Sequence, residues 1–463
     1  MLHLPLTNRR WFLTTSAASS GLLLGCHSQP DAAPAAVPVR RDVPLRILLC
    51  GEQRWADSLT SAWSAVSAQP LRITLVDPIN VDPQAWQRTI VSAIPACDVS
   101  IIPSGSLPAI ESASGLTLPS EELLSEQGID AESFLPVIRE GLMKFGGRTC
   151  AVPLGTIQPV LVMRTDGPAS DLEPPRDWES FITVAKQFGD SQVAEPLAGG
   201  AAAKMFLWRA NGARPPVWLF DRQSLAPVID TEPYVQVLET MKRCAASYGD
   251  KRLTPGEVWS QVATGKRRMA IAWPAAHSSA ERMEEAVDCS YSSLPAARTS
   301  SDATPQALLD YESPVAIISS HCRQSVAARR FLIWAVGREG TNLIRASISG
   351  LTELRSVGHS APLDSPVTDI GLPVTGNGNA TTSSYASQAA NELSALSLRP
   401  PLQLLEYRKY AAALDAAVLA CLDGKRSAQA ALTETAQNWA ALTEGIGIRA
   451  QHQAWRRAQG LRS

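Results

Sequence analysis

Short apolar strands alternate with amphipathic helices from Leu45 onward, and this alternation limits the fold more than any other feature of the chain. Leu45–Cys50 reads as a buried strand, Trp55, Leu59, Ala62, Trp63 and Val66 fall at helical spacing, and Leu71, Ile73 and Leu75 alternate as a second strand. Asp98–Ile102 is a third strand that ends at Pro103-Ser104-Gly105, with a short helix from Pro108. Strand, helix, strand in succession predicts α/β architecture with a mainly parallel sheet, whose ligands gather beyond the C-terminal ends of the strands.

The pattern resumes with strands at Thr149–Val152 and Val160–Arg164. A helix follows from Trp178, capped by Asp177, with Phe181, Ile182, Ala185 and Phe188 on one face. Helices at Ala201–Asn211, Glu232–Ala246 and Glu257–Thr264 come next, the last stopped by Gly265 ahead of a strand at Arg268–Trp273. Pro314–Ser319 is a further strand, and a helix from Arg323 should bury Val326, Ala327, Phe331 and Trp334. Arg355–Ser387 is rich in Ser, Thr and Gly and reads as a long surface loop or flap. The end is helical, with one stripe at Tyr407, Ala411, Leu414, Val418 and Cys421, a stop at Gly424, and a second stripe from Leu432 through Ala436 to Trp439.

Ahead of this region lies Arg9-Arg10-Trp11-Phe12-Leu13, an uncharged run from Thr14, and Leu23-Leu24-Gly25-Cys26. The paired Arg9 and Arg10 resemble a twin-arginine export signal, and the Leu-Leu-Gly-Cys run resembles a lipobox that would lipidate Cys26. The uncharged run is shorter than the roughly 20 residues that span a bilayer, so residues 1–25 read as a signal peptide rather than an anchor. The general secretory route stays open as the alternative. Residues 26–43, rich in Pro and Ala, read as an extended tether. His27 follows Cys26, so no Asp argues there for inner-membrane retention.

A hydrophobic fraction of 45% with 19% charged residues is that of a globular protein long enough for two or three domains. A formal net charge of −2 offers no field for polyanions, which argues against a nucleic-acid partner. Of eight cysteines, Cys26 is assigned to lipid, and the remaining seven cannot all pair. They show no metal-ligand spacing and read as buried thiols with room for one disulfide. No Gly-x-Ser-x-Gly elbow, His-Glu-x-x-His pair or Gly-rich phosphate loop is present. His321 and Cys322 are adjacent, and neighbours on an extended chain point apart.

Three segments, taken in order, resemble the extracellular solute-binding protein family 1 of ABC sugar importers. Phe145–Thr156 (FGGRTCAVPLGT) is similar to the family's Gly-Gly-Lys-x-Tyr-x-Val-Pro-x-Gly strand, and Pro174-Pro175-Arg176-Asp177-Trp178 to its Pro-Pro-x-Thr-Trp helix start. Gly265–Pro274 (GKRRMAIAWP) is similar to its Gly-Lys-x-Ala-Met-x-x-x-Gly-Pro segment. Val315–Trp334 and Arg399–Trp439 extend the likeness to roughly Leu45–Glu444. Cys150 and Trp273 depart from the pattern, where an aromatic and a glycine are usual.

The resemblance implies a two-lobe periplasmic-binding-protein-like fold (type II), each lobe a mainly parallel sheet flanked by helices, with a helical C-terminus. Residues 44–153 and 314–355 would form lobe 1, and residues 154–313 and 356–463 lobe 2. Pro153-Leu154-Gly155 would be one hinge crossing. The implied function is a lipid-anchored, extracytoplasmic, monomeric receptor that closes on a carbohydrate and delivers it to an ABC permease, with no cofactor and no metal. The alternatives are an enzyme on the same scaffold using Cys50 or Cys97, as in thiaminase-like proteins, and a sensory receptor.

Sugar recognition combines flat aromatic faces with fork-like polar groups, so those residue types at strand ends are the candidate contacts. Glu52 and Gln53 follow the first strand, with Gln53 favoured and a helix cap as the alternative. Ser104 follows the third strand, and its Pro-Ser-Gly context also suits a plain turn. Thr156 and Gln158 lie just past the hinge and are candidates either for ligand or for hinge backbone. Trp208 and Trp273 are candidate stacking platforms, Trp208 having core packing as its alternative. Tyr311 and Glu312 precede the return strand and complete the set.

Overall fold

The computed structural model describes residues 42–78, 81–113, 129–166, 172–275, 289–296, 306–337, 340–341, 344, 385–395 and 397–461. The export signal, Cys26, all of the tether before Asp42, and positions 355–384 of the Ser/Thr/Gly-rich stretch lie outside the described residues.

In lobe 1, β1 (Leu45–Cys50), β2 (Leu71–Val76) and β3 (Val99–Pro103) join β6 (Val152–Pro153) and β12 (Pro314–Ile318) in a sheet of order β2-β1-β3-β12-β6. The first three strands are mutually parallel because helices carry the chain between them: α1 (Gln53–Val66) and α2 (Trp86–Ala93). Leu45, Ile47, Leu48, Val99 and Ile101 are fully buried in β1 and β3. Trp63 of α1 meets Phe331 and Trp334 edge-on at 5.3 Å, joining α1 to α8 (Ser325–Val336). Helix α3 (Leu107–Ser112) also belongs to this lobe.

The sheets are mixed, which corrects the expectation of mainly parallel sheets within the two-lobe fold. Strand β12 runs antiparallel to both β3 and β6. It arrives straight from the other lobe rather than through a helical crossover, so nothing constrains it to run parallel. In lobe 2 the order is β10-β7-β9-β8, for β7 (Val160–Arg164), β8 (Val193–Ala194), β9 (Met269–Ala272) and β10 (Cys289–Ser292). Among the described strands of that sheet, β8 and β9 pair parallel, while β10–β7 and β7–β9 are antiparallel.

The expected strand at Thr149–Val152 is interrupted. Lys144–Phe145 (β4) and Arg148–Thr149 (β5) form a hairpin whose turn, Gly146-Gly147, has φ of +62° and +73°, conformations open to glycine. Cys150 and Ala151 then both donate backbone N–H groups to the Met143 carbonyl, at 2.8 and 3.2 Å, which bends the chain before β6. Val326 is also corrected: it sits in the first turn of α8 and is 40% exposed, because the buried face runs through Ala327, Ala328, Phe331 and Leu332.

Lobe 2 carries α4 (Trp178–Phe188), α5 (Ala201–Ala213), α6 (Glu232–Ala245) and α7 (Pro255–Ala263). Asp177 caps α4 by accepting the Ser180 N–H at 2.8 Å, and Gly265 stops the chain after α7 at φ +75°. Helix α9 (Tyr385–Leu393) packs on β7 and β10. A short parallel pair joins β11 (Gln306–Leu308) to β13 (Ser397–Arg399).

The chain ends in α10 (Tyr407–Leu422), α11 (Ala428–Ile446) and α12 (Ile448–Ala458). These pack on α5 and α6 of lobe 2, where Phe220 stacks on Trp439 at 5.1 Å and meets Trp455 at 5.2 Å. They also reach lobe 1. Leu405 and Ala454 cluster with Ala109 of α3, and Gly146 donates to the Arg457 carbonyl at 3.0 Å.

All seven cysteines among the described residues are free thiols, five of them buried, so the disulfide allowed for by the sequence does not form among them.

Candidate functional site

Beyond the C-terminal ends of β1 and β3, a cavity of about 330 Å³ opens between the lobes. Lobe 1 supplies Cys50, Gly51, Glu52, Arg54 and Trp55 from the β1–α1 junction, with Pro78 and Pro103 from the ends of the next two strands. Lobe 2 supplies Ile157 and Lys204, and the crossing that returns to lobe 1 supplies Asp310, Glu312, Ser313 and Pro314. The strand alternation leads to the expectation of a cleft at this position.

Two crossings run side by side beneath the cavity, at positions 154–159 and 309–313. The hydroxyls of Thr156 and Ser313 lie 2.6 Å apart and tie one crossing to the other. Leu154 donates its N–H to the Pro314 carbonyl at 3.0 Å. Ser104 and Gly105 pin the end of β3 to the same place: Ser104 N–H donates to the Ser313 carbonyl at 2.9 Å and Gly105 N–H to the Tyr311 carbonyl at 2.8 Å. The Ser104 hydroxyl also donates to the Tyr311 carbonyl, at 3.2 Å.

Each charged side chain that lines the cavity is held in an ion pair, that of Glu312 with Arg408 from behind the lining. Lys204 Nζ lies 2.8 Å from Asp310 Oδ2, whose carboxyl is 4% exposed. Arg408 Nη2, from the start of α10, lies 2.7 Å from Glu312 Oε2, and the Tyr407 hydroxyl donates to Glu312 Oε1 at 3.0 Å. Arg54 Nε reaches Glu52 Oε2 at 2.7 Å on the exposed rim. Burial works against the Arg408 charge, but Glu312 and Tyr407 outweigh it and hold the guanidinium protonated. A cavity lined by such pairs offers donors and acceptors to ligand hydroxyls, with Trp55 as the aromatic side chain among its lining residues.

The candidates drawn from the sequence do not all reach the cavity. Glu52 and Glu312 line the cavity. Ser104 and Thr156 are both fully buried and engaged in the pinning of the crossings. Gln158 stands next to the lining residue Ile157, its backbone N–H and carbonyl both bonded to the Tyr385 hydroxyl, at 3.4 and 2.9 Å. Its Oε1 is buried without a partner. Gln53 turns along α1 instead, donating to Asp57 Oδ1 at 2.8 Å on the exposed side. Trp208 and Trp273 face each other at 5.8 Å and are about 5% exposed, with Trp208 Nε1 donating to the Leu308 carbonyl at 3.2 Å. Tyr311 is buried edge-on against Tyr407 at 5.8 Å while its neighbours Asp310 and Glu312 face the cavity, as alternation along an extended crossing requires.

Trp55, Arg54, Lys204, Asp310 and Arg408 did not emerge from the sequence as ligand-site residues. For Trp55 a signal existed, since it stands one helical turn past the end of β1, but its helical spacing marks it equally as core. Cys50 lines the cavity, and burial pushes its thiol well above the usual range despite the opposing pull of Arg408. Cys97 is 1% exposed and does not line it.

No family model and no curated protein matches the chain. Solved structures do. An ABC transporter solute-binding protein from Agrobacterium radiobacter K84, in complex with ribitol, superposes with a TM-score of 0.63 at 18% identity, covering 86% of this chain and 98% of its own. The sugar-binding protein MalE from Xanthomonas citri gives 0.64 at 14% identity, over 88% and 99%. An ABC substrate-binding protein from Listeria monocytogenes in complex with cycloalternan gives 0.61 at 11% identity, over 87% and 99%. The chain therefore has the two-lobe fold of ABC-transporter solute-binding proteins over nearly their whole length.

Proposed function

We propose that this chain is a lipid-anchored, extracytoplasmic receptor that captures a carbohydrate or polyol between its lobes and delivers it to an ABC permease. The observation that carries the reading is the cavity itself. It lies at the strand ends between two lobes joined by paired crossings, and it combines a tryptophan side chain with acid–base pairs suited to hydroxyl groups. Structures of the same fold hold ribitol, D-mannitol and cycloalternan, which supports a polyhydroxylated ligand. A ligand touching both lobes favours the closed state by its additional contacts there, and a permease can read closure as occupancy. No covalent step is needed. The Cys50 thiol, kept protonated by burial, is poorly suited to the nucleophile that the enzyme alternative requires.

In this reading residues 44–153 and 314–355 make lobe 1, residues 154–313 and 356–463 make lobe 2, and the receptor acts as a monomer. Cys26 carries the lipid, and Arg9 and Arg10 direct export through the twin-arginine route. The test is a thermal-shift and calorimetric screen of the mature protein against ribitol, D-mannitol, maltose and amino acids. Ligand at about 100 times its Kd should stabilise the protein by about 2.7 kcal/mol, and a screen in which only amino acids bind would sink the carbohydrate assignment. Cys26→Ala should release the protein from the membrane fraction, and Arg9→Lys with Arg10→Lys should block its export.

A further inference from the structure

The charges around the cavity cancel. Among the described lining residues the acids are Glu52, Asp310 and Glu312 and the bases Arg54 and Lys204, with Arg408 as a further base behind Glu312. Each acid has its own base: Glu52 has Arg54 at 2.7 Å, Asp310 has Lys204 at 2.8 Å and Glu312 has Arg408 at 2.7 Å. Charges act over several ångströms, so a solute feels this balance whatever the direction of each side chain.

The buried pairs are also costly to open. The Asp310 side chain is 4% exposed, and both of its oxygens are committed, Oδ1 to the Glu312 N–H at 3.0 Å and Oδ2 to Lys204. The Lys204 ammonium is held on a second side by the Tyr311 ring, 5.3 Å from its centroid. Glu312 is engaged at one oxygen by Arg408 and at the other by Tyr407. A carboxylate on a solute could recruit Lys204 only by drawing it from Asp310, and an ammonium could recruit Asp310 only by drawing it from Lys204. Either exchange strands a buried charge. A hydroxyl needs no exchange, since it accepts from a spare ammonium N–H and donates to a spare carboxylate lone pair while the ion pair stays closed.

We infer that the solute taken into this cavity is uncharged, and that the balance of these pairs, Lys204–Asp310 foremost, determines specificity by rejecting sugar acids, sugar phosphates and amino sugars. The inference rests on the solute-capture reading, and the experiment separates the two.

Calorimetry on the mature protein compares ribitol, D-mannitol and maltose with the carboxylate and primary-amine derivatives of each. Wild type should bind a neutral parent at least about tenfold more tightly than its charged derivatives. Asp310→Asn keeps the shape and an acceptor for the Glu312 N–H but leaves Lys204 uncompensated, so the ratio of carboxylate to parent affinity should rise about tenfold. Adding Lys204→Gln should return the ratio to its wild-type value. A merely structural role for the pair would weaken parent and derivative alike and leave the ratio fixed. The inference is overturned, with the capture reading intact, by a wild type that binds a charged derivative as tightly as its parent, by an unchanged ratio in Asp310→Asn, or by a double variant that keeps the raised ratio. A wild type that binds none of the compounds overturns both. Should Asp310→Asn fail to fold by circular dichroism, Glu52→Gln decides: Glu52 stands on the exposed rim, its replacement frees Arg54, and an unchanged ratio there overturns the inference.

Discussion

The guanidinium of Arg408 lies 3.5 Å from the ring centroid of Trp86, so the first turn of the C-terminal helix α10 is stacked on helix α2 of lobe 1. The same group donates to the Pro78 carbonyl at 3.2 Å and pairs with Glu312 in the cavity wall. The C-terminal helix α10 therefore holds a carboxylate of the cavity lining. Arg408→Ala should destabilise the protein by about 3 kcal/mol, since it strands a partly buried carboxylate and uncovers Trp86. Arg408→Lys should recover only part of this, because an ammonium neither stacks flat nor forks. Urea unfolding checks it, and an alanine variant with an unchanged midpoint would refute the bridging role.

Deep in lobe 2, Glu195 and Arg209 form an ion pair whose side chains are 0% and 1% exposed. The Tyr248 hydroxyl donates to Glu195 at 2.8 Å, and the Arg209 guanidinium covers Trp178 at 3.7 Å. Removing one partner strands the other charge, so Glu195→Gln should cost about 3–5 kcal/mol, read as a lower denaturation midpoint. The double replacement by apolar residues of similar volume should cost much less than the single change.

Glu257 gives the acid dependence. Its carboxylate accepts from Lys251 Nζ at 2.6 Å and from the Thr254 N–H at 2.8 Å, capping α7. Those bonds, Lys251 first, hold it down to about 2 from an ordinary 4.5. Because the folded value lies below the unfolded one, the stabilisation is fully present above about pH 4.5 and disappears as pH falls toward 2. Glu257→Gln should remove about 1 kcal/mol at neutral pH and flatten that part of the stability–pH curve, Lys251 being largely exposed.

Thiol reactivity should follow burial. Cys322 and Cys150 are partly exposed, with burial pushing their thiols up to about 11 and about 12, so iodoacetamide should modify these two slowly in the native protein. Cys50, Cys97, Cys244, Cys289 and Cys421 should react only on unfolding. Peptide mapping after native labelling resolves this, and rapid native alkylation of Cys50 would revive the enzyme alternative.

The parts of this fold that repeat locally are legible in the sequence. Periodicity placed β1, β2, β3 and α1, and a short helix was expected from Pro108, whereas α2 went unread; Asp177 and Gly265 marked the ends of helices as capping and glycine stops require. Interruption of the strand at Thr149 was not legible, because it depends on two N–H groups converging on the carbonyl of Met143, which sequence spacing alone does not specify. Ser104, Thr156 and Tyr311 lie beside the paired crossings, but the side that each faces could not be read from residue type.

The sequence by itself determined the α/β alternation and the expectation of a cleft beyond the strand ends, because apolar period and turn chemistry act over a few residues. Only the tertiary structure decided which side chains meet in that cleft. Lys204 finds Asp310 across 106 positions, and Arg408 finds Glu312 across 96. No local pattern encodes such pairs. They exist because two lobes and a C-terminal helix pack to bring opposite charges together where burial makes an unpaired charge costly.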